Sequence, residues 1–416
     1  MNVTFVPTDT RAALHPLAVK ECSRSLYFDR FSRPDLKKDD RKQFFVDGFG
    51  THRSSLRAEG WTAAMHLKPA EILYAQLQSR MMVNMSGGVM ENAGLCLDRF
   101  GLPYIPGSAV KGCARRMAIQ SLLEARELGE HVDNLSKKLA DIGLVFGWGE
   151  QDWGDNQKDG RFISDFVYAI GKEQWRDVRP LARKRLPASD SFGGSVSFVP
   201  SYLVDIGKLS GLPSEVPDLG TLELDVVTCH HGDYYLNPAV TASDTEEPVP
   251  VVFPSVAAGQ IFVFAVLPLR DCSSELVTKA RTWLTNGLQL FGLGAKTAAG
   301  YGWFEDVSIR IGQEEQVRRT KVKRVVERAN LQPDSRLLEE LTSLKDPDLR
   351  GKINQFSGDE RFWTVKDEQV QLTVLHFLCV TAPDLFTVDR AKPASKIAKA
   401  ITHLSGKFPH IVPAKP

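Results

Sequence analysis

Phe291-Gly-Leu-Gly-Ala-Lys-Thr-Ala-Ala-Gly-Tyr-Gly302 sets four glycines, one lysine, one threonine and an aromatic between two apolar segments. Leu276 to Leu290, upstream, has the apolar spacing of a helix. Gly302-Trp-Phe-Glu-Asp-Val-Ser-Ile-Arg310, downstream, has the pattern of a strand. Helix, glycine loop, strand is the reverse of the order in a dinucleotide-binding turn. A Walker A loop is excluded too, because Ala295 separates Gly294 from Lys296. Glycine permits positive φ and lets a ligand backbone approach closely. Free amides in such a turn bind phosphate oxygens, and Lys296 adds a point charge. Tyr301 is placed to stack on a base or to pack underneath. The competing reading is a turn that only connects two elements.

Outward from that loop, the elements read as an α+β fold. Glu71 to Met85 is β-rich and ends in Ser86-Gly87-Gly88, the expected first core strand. Ser108 is placed to cap a helix from Ala109, with Val110, Ala114, Met117, Ala118 and Leu122 on its apolar face. A second helix is expected over Val132 to Leu144. Strands are expected over Arg161 to Ile170, Leu222 to Val227, Gln260 to Leu267 and Tyr301 to Ile311. This succession predicts two ferredoxin-like (RRM-like) halves over residues 66–314. Residues 1–65 read as a polar, irregular N-terminal extension, with the mixed charge run Asp35 to Lys42 as a solvated face. Residues 315–416 read as a C-terminal helical extension. It opens on the basic run Arg318, Arg319, Lys321, Lys323 and Arg324. Leu337 to Leu341, Val370 to Val380 and Ser395 to Leu404 are its expected helices, with Lys392, Lys396 and Lys399 on one face.

Composition narrows the function. The 416 residues carry a net charge of +1 with 25% charged side chains, so any nucleic-acid site is a local patch. Six scattered cysteines form no Cys-x-x-Cys pair, which argues against a zinc ribbon or a disulfide framework and fits a reducing cytosol. No signal peptide is visible at the N-terminus. Pro248 to Leu269 is uncharged and long, but its four prolines favour a strand and turn over a membrane span.

Ile105-Pro-Gly-Ser-Ala-Val-Lys-Gly112 is the second signal. A helix N-terminus offers unpaired N–H groups and a positive dipole end, which suit phosphate. Lys111 and Arg115 share a helix face there; the alternative is an ordinary capped helix with surface bases. His230 and His231 invite an acid–base reading, but neighbours on a strand point to opposite faces. With Tyr234 and Tyr235 beside them, an RNA-contacting or subunit-contacting loop is favoured over catalysis, and the alternative is a purely structural role. Metal binding by Cys229, His230 and His231 lacks a fourth ligand. Trp148 and Trp153, among glycines and acids, belong either to a partner-binding loop or to the core.

The ordered set of these motifs resembles the RAMP superfamily of CRISPR-associated RNA-binding proteins. It resembles most closely the sixth subunit of the type III-B (Cmr-type) effector complex. The resemblance runs through Gln78-Ser-Arg80, Gly87-Gly-Val-Met-Glu91, Gly101 to Gly112, Phe146-Gly147, Gly160 to Asp165, Asp225 to Tyr235, Pro248 to Pro250 and Phe291 to Gly302, roughly residues 70 to 312. It implies a cytoplasmic, non-catalytic subunit that caps one end of a ribonucleoprotein and grips guide RNA near its 3′ end. Its partners would be guide and target RNA, a backbone RAMP subunit, a small helical subunit and a second capping RAMP protein. Membrane, metal and cofactor have no part in it. The expected RNA contacts are Arg80, Gly87, Gly88, Ser108, Lys111, Arg115, His230, His231, Tyr234, Gly292, Gly294, Lys296, Thr297, Gly300 and Tyr301. Rival readings are an endoribonuclease using Glu91 or His230, and a protein-only scaffold.

Overall fold

The computed structural model describes residues 6–14, 23–50 apart from 34 and 37, 71–87, 90, 94–154, 164–204, 212–243 apart from 238, 249–269, 271–313, 335–343 and 368–381, with 402, 406 and 407. The chain divides into two compact units, residues 1–205 with 212–308, and residues 206–211 with 309–416.

Helices of the first unit are α1 (Thr8–Leu14), α2 (Arg24–Arg30), α3 (Lys38–Gly50), α4 (Gly107–Glu127), α5 (Val132–Phe146), α6 (Asp165–Ile170), α7 (Lys172–Arg183), α8 (Gly232–Leu236) and α9 (Ser274–Leu290). Its strands are β1 (Ile72–Leu77), β2 (Tyr104–Ile105), β3 (Val196–Phe198), β4 (Ser201–Leu203), β5 (Leu222–Cys229), β6 (Val249–Val256), β7 (Ile261–Pro268) and β8 (Phe304–Asp306). One six-stranded sheet runs β2-β4-β7-β1-β8, with β3 also on β7, and every pairing is antiparallel. Within it β1, α4, β4, β7, α9 and β8 follow the split βαββαβ scheme, the first strand between the third and the fourth. The class is α+β, as expected. Among the described residues one ferredoxin-like unit is complete. In place of a second four-stranded sheet, β5 and β6 form a separate two-stranded ribbon, and α5, α6 and α7 fill the span between α4 and β3.

The central strand β7 is Ile-Phe-Val-Phe-Ala-Val over 261–266, all buried. It lacks polar alternation because it sits mid-sheet with both faces covered. Phe262 and Phe264 meet Phe304 of β8 edge to face. Helix α9 crosses α4 closely: a Cβ at Gly287 would press on the Cys113 carbonyl oxygen at 2.9 Å. Helix α9 starts where Ser273 accepts the Leu276 N–H at 3.3 Å.

Three readings of the sequence need correction. Helix α4 begins at Gly107 with Pro106 at its cap position, so Ser108 lies inside the first turn and caps nothing. The expected strand over 161–170 is, from Asp165 on, the short helix α6, and residues 161–163 lie outside the described residues. Ser164 caps it by accepting the Val167 N–H at 3.2 Å, and Gly171, at φ 80°, ends it. Alternating apolar residues cannot decide the type of an element this short. Residues 1–65 are not an irregular polar segment where they are described. Helices α2 and α3 bury Tyr27, Phe28, Phe44 and Phe45, with Tyr27 stacked on Phe44 at 4.7 Å. The charge run opens α3, and Arg41 donates to the Val252 carbonyl at 2.9 Å.

Trp148 and Trp153 belong to the core, both buried. Trp153 stacks on Trp175, and Arg183 lies over both tryptophan rings. Among the described residues no helix is long and apolar enough to cross a membrane. From Val249 the uncharged run forms strands β6 and β7, which belong to different sheets.

In the second unit, helices α10 (Ser335–Ser343) and α11 (Glu368–Thr381) follow the expected helical pattern. Leu372, Val374, Leu375, Phe377 and Leu378 of α11 are buried. The basic run 318–324 and the expected helix at 395–404, apart from residue 402, lie outside the described residues.

Candidate nucleic-acid interface

The glycine loop is built as a strap across the exit of β1. Gly302 donates to the Arg80 carbonyl and Ala295 to the Met82 carbonyl, both at 2.8 Å. Leu293 donates to the Gly302 carbonyl at 2.8 Å, closing the strap on itself. The amides of Ala299, Gly300 and Tyr301 go to the Lys296 and Thr297 carbonyls. Most loop amides are therefore committed to the chain's own backbone, and the expected nest of free phosphate-binding amides is not what these glycines make. A Cβ at Gly294 would strike the Met82 carbonyl, and one at Gly302 the Leu293 carbonyl. Gly300 differs: its φ is 90°, but a Cβ there would meet nothing within 4 Å. The outward tip is the single turn Thr297–Ala299, with Lys296 before it in the left-handed region at φ 60°.

Two signals far apart in sequence meet at this strap. Arg116 of α4 lies over the ring of Phe291 at 4.1 Å. Cys113 points its Sγ at the Gly292 carbonyl, 3.7 Å away and 179 residues on. Ser108, Gly112 and Arg116, one helical turn apart, are exposed along α4. Lys111 is half-buried. Burial, and then Arg115 nearby, push its ammonium below its ordinary value, so it holds its charge at a cost that an incoming anion would relieve. Arg115 itself is engaged: it pairs with Asp165 and lies 5.7 Å over the ring of Phe166.

Arg80 is not a free cation either. Its Nε donates to Glu223 at 2.6 Å and its Nη1 to Asp225 at 2.9 Å, both on β5. Asp225 also accepts the Tyr301 hydroxyl and, on Oδ1, the Val226 N–H at 2.8 Å. Phe253, opposite Asp225 in the ribbon, lies 5.6 Å below the Lys296 ammonium and 6.2 Å from the Tyr301 ring. Glu223, Asp225 and Phe253 thus belong to the site and were missed in the sequence. The alternation of Glu223 and Asp225 on one strand face was the available signal.

Desolvation raises Asp225, but the bonds from Tyr301, Val226 and Arg80 outweigh it and hold the carboxyl below its ordinary value. Burial and then the bond to Asp225 push the Tyr301 hydroxyl up to about 12, against about 10 in an unfolded chain. The neutral, donating phenol is therefore the form the fold holds. Its contribution to stability is complete below about pH 10 and is lost as pH rises through about 12. Denaturant unfolding at stepped pH is expected to show this loss in wild type and a smaller one in Tyr301→Phe. Superimposable wild-type and variant profiles would refute the coupling.

The remaining expected residues are scattered. Gly87 sits in a tight turn, its N–H on the Asn84 carbonyl at 2.8 Å, and Gly88 lies outside the described residues. His230 is exposed, and His231 begins the short turn to Tyr234, whose ring meets Tyr235 edge to face at 5.4 Å. They stand beyond the Cys229 end of β5, roughly 15 Å along the strand from Asp225, so the structure does not gather them with the glycine loop. No group of three or more potential metal ligands occurs among the described residues.

The model of the RAMP superfamily matches residues 85–305, more than half of the chain. The CRISPR system Cmr subunit Cmr6 of Pyrococcus furiosus is 29% identical over 231 residues, 54% of this chain and 64% of that relative. The match thus spans less than two thirds of that relative's length. Among solved structures, a chain of the type III-B Cmr-beta complex bound to cognate target RNA shares 17% identity at a TM-score of 0.34, over 65% of this chain and 66% of that one. The crystal structure of Cmr6 from Pyrococcus furiosus shares 22% identity at a TM-score of 0.28, over 56% of this chain and 97% of that one. On the family match, which takes in Lys111, Asp225 and the strap from Phe291 to Gly302, this chain belongs to the RAMP superfamily.

Proposed function

We propose that this chain is a non-catalytic, RNA-holding subunit of a type III-B CRISPR ribonucleoprotein. It caps one end of the assembly and grips the guide RNA backbone toward its 3′ end. A backbone-forming RAMP subunit, a small helical subunit and a second capping RAMP protein would be its neighbours, and the cytoplasm its compartment. Sequence similarity to a Cmr6 subunit supports the class of assembly. The observation that carries the RNA-holding role is the junction of α4 with the glycine strap at Cys113–Gly292 and Arg116–Phe291. Lys111 and Lys296 stand on these two elements, and neither is tied to a carboxylate among the bonds described. Cations on rigid backbone supports position a phosphate chain without reading its bases, which suits guides that differ in sequence. Holding is favoured over cutting because His230 stands beyond the Cys229 end of β5, away from the Arg80–Asp225–Tyr301 cluster; Glu91 lies outside the described residues.

The test is binding of a guide-length single-stranded RNA across a salt series. Lys111→Ala/Lys296→Ala is expected to bind roughly tenfold more weakly. Its slope of log affinity against log salt should be shallower by about 1.4, the loss of two phosphate contacts. An unchanged slope would remove these two lysines from the RNA path.

A further inference from the structure

Glu223 and Asp225 bind the Arg80 guanidinium at the rim of the glycine strap. We propose that this acidic pair is a displaceable phosphate mimic: in the free subunit it occupies Arg80, and an RNA phosphodiester displaces it on binding. The inference rests on the RNA-holding reading and adds its regulation.

Four observations support it. First, the Arg80 carbonyl accepts the Gly302 N–H, so its guanidinium is anchored beside the strap. Second, that guanidinium donates its Nε to one carboxylate and its Nη1 to another, charge-assisted bonds of the kind it would give to phosphate oxygens. Third, the Arg80–Glu223 contact is open to water, with side chains 46% and 41% exposed, while Asp225 is more covered, at 18%. Ion pairs this exposed contribute little to folding, so they are poor permanent ties and good exchangeable ones. Fourth, the two carboxylates are side chains of a two-stranded ribbon apart from the main sheet, itself fixed beside Arg80 by the Met81–Val256 bridge, so their displacement needs only side-chain rotation and leaves the ferredoxin-like core in place. Arg80 and Lys296 are offset here by Glu223 and Asp225, so the strap's rim is near neutral until the pair is displaced. Such a device would weaken the hold on incidental polyanions and favour an RNA already guided to the site by other contacts.

The test is a four-protein cycle: wild type, Glu223→Gln/Asp225→Asn, Arg80→Ala, and all three changes together, each titrated with a uridine-rich single-stranded RNA over a salt series. Removing the carboxylates is expected to raise affinity about tenfold and to steepen the salt slope by about 0.7, one phosphate. Arg80→Ala alone should change affinity less than twofold, and in the triple variant the gain should vanish. A gain that persists without Arg80 would be a general charge effect and would overturn the mimic while leaving the RNA-holding reading in place. No gain would overturn it likewise. No binding by any of the four would overturn both. Glu223→Gln alone, which keeps Asp225 on Tyr301, guards against a folding defect and should give a smaller gain, about threefold.

Discussion

Gly302→Ala is expected to cost the first unit about 4 kcal/mol of stability, while Gly300→Ala, two residues away, costs about 1 kcal/mol. Both glycines have positive φ, 70° and 90°, so both substitutions carry the left-handed penalty of about 1–2 kcal/mol. They differ in what the new methyl meets. At Gly302 it runs into the Leu293 carbonyl, and Leu293 in turn donates to the Gly302 carbonyl. No flexible side chain is there to yield, so main chain must move. That movement strains two backbone bonds, Leu293 to Gly302 and Gly302 to Arg80, each worth about 1 kcal/mol. At Gly300 the methyl enters open space. Against a total of about 5–15 kcal/mol, the first change leaves a marginal protein and the second a nearly normal one. Denaturant unfolding of both variants checks this. Equal midpoints would mean that the strap does not hold β1 and β8 together.

Arg24→Ala is expected to cost about 3–5 kcal/mol, although Arg24 lies far from the glycine strap in sequence. Its side chain is buried. Nη1 donates to the Gly220 carbonyl at 2.8 Å and to the Gly101 carbonyl at 3.3 Å, and Nη2 to the Phe49 carbonyl at 3.1 Å. One guanidinium therefore pins α2 to the end of α3, to the turn before β2 and to the turn before β5. Bonds to a charged donor contribute about 1.5–3 kcal/mol each, less than additively, and buried acceptors left without a donor add their own cost. Arg24→Lys should recover only part, because one ammonium cannot span three carbonyls. Unfolding by urea, followed by limited proteolysis of residues 23–50, measures both effects. A loss below about 1 kcal/mol would make α2 and α3 peripheral.

That second result concerns the part of the molecule that was least legible in the sequence. The apolar runs of β1, β7, α4 and α9 announced themselves by length and spacing, and so did the glycine strap. Residues 23–50 did not, because their aromatics are interleaved with Arg24, Arg30, Arg33, Lys42 and several aspartates. Average polarity hid a buried face whose arginine donates to two carbonyls more than 70 residues away. For the candidate site, residue types were read correctly as cations near glycines. What each cation faces was not readable: Arg80 meets carboxylates 143 and 145 residues distant, and Arg115 meets Asp165. Pairings of that kind are fixed by the register of β5 and by the placement of α6, neither of which leaves a local pattern.

The sheet that supports the strap also sets a schedule for making the protein. Among the described residues strand β1 pairs with β7 and β8, and the Gln76 side chain donates to the Gly259 carbonyl, 183 residues later. At about 5–20 residues per second, roughly 10–40 s of synthesis separate the two. Through that interval β1 has both edges unpaired and its apolar side chains uncovered, a condition that invites strand-to-strand association between nascent chains. Soluble yield should therefore respond to ribosome speed, temperature and holding chaperones more than to the stability of the finished fold.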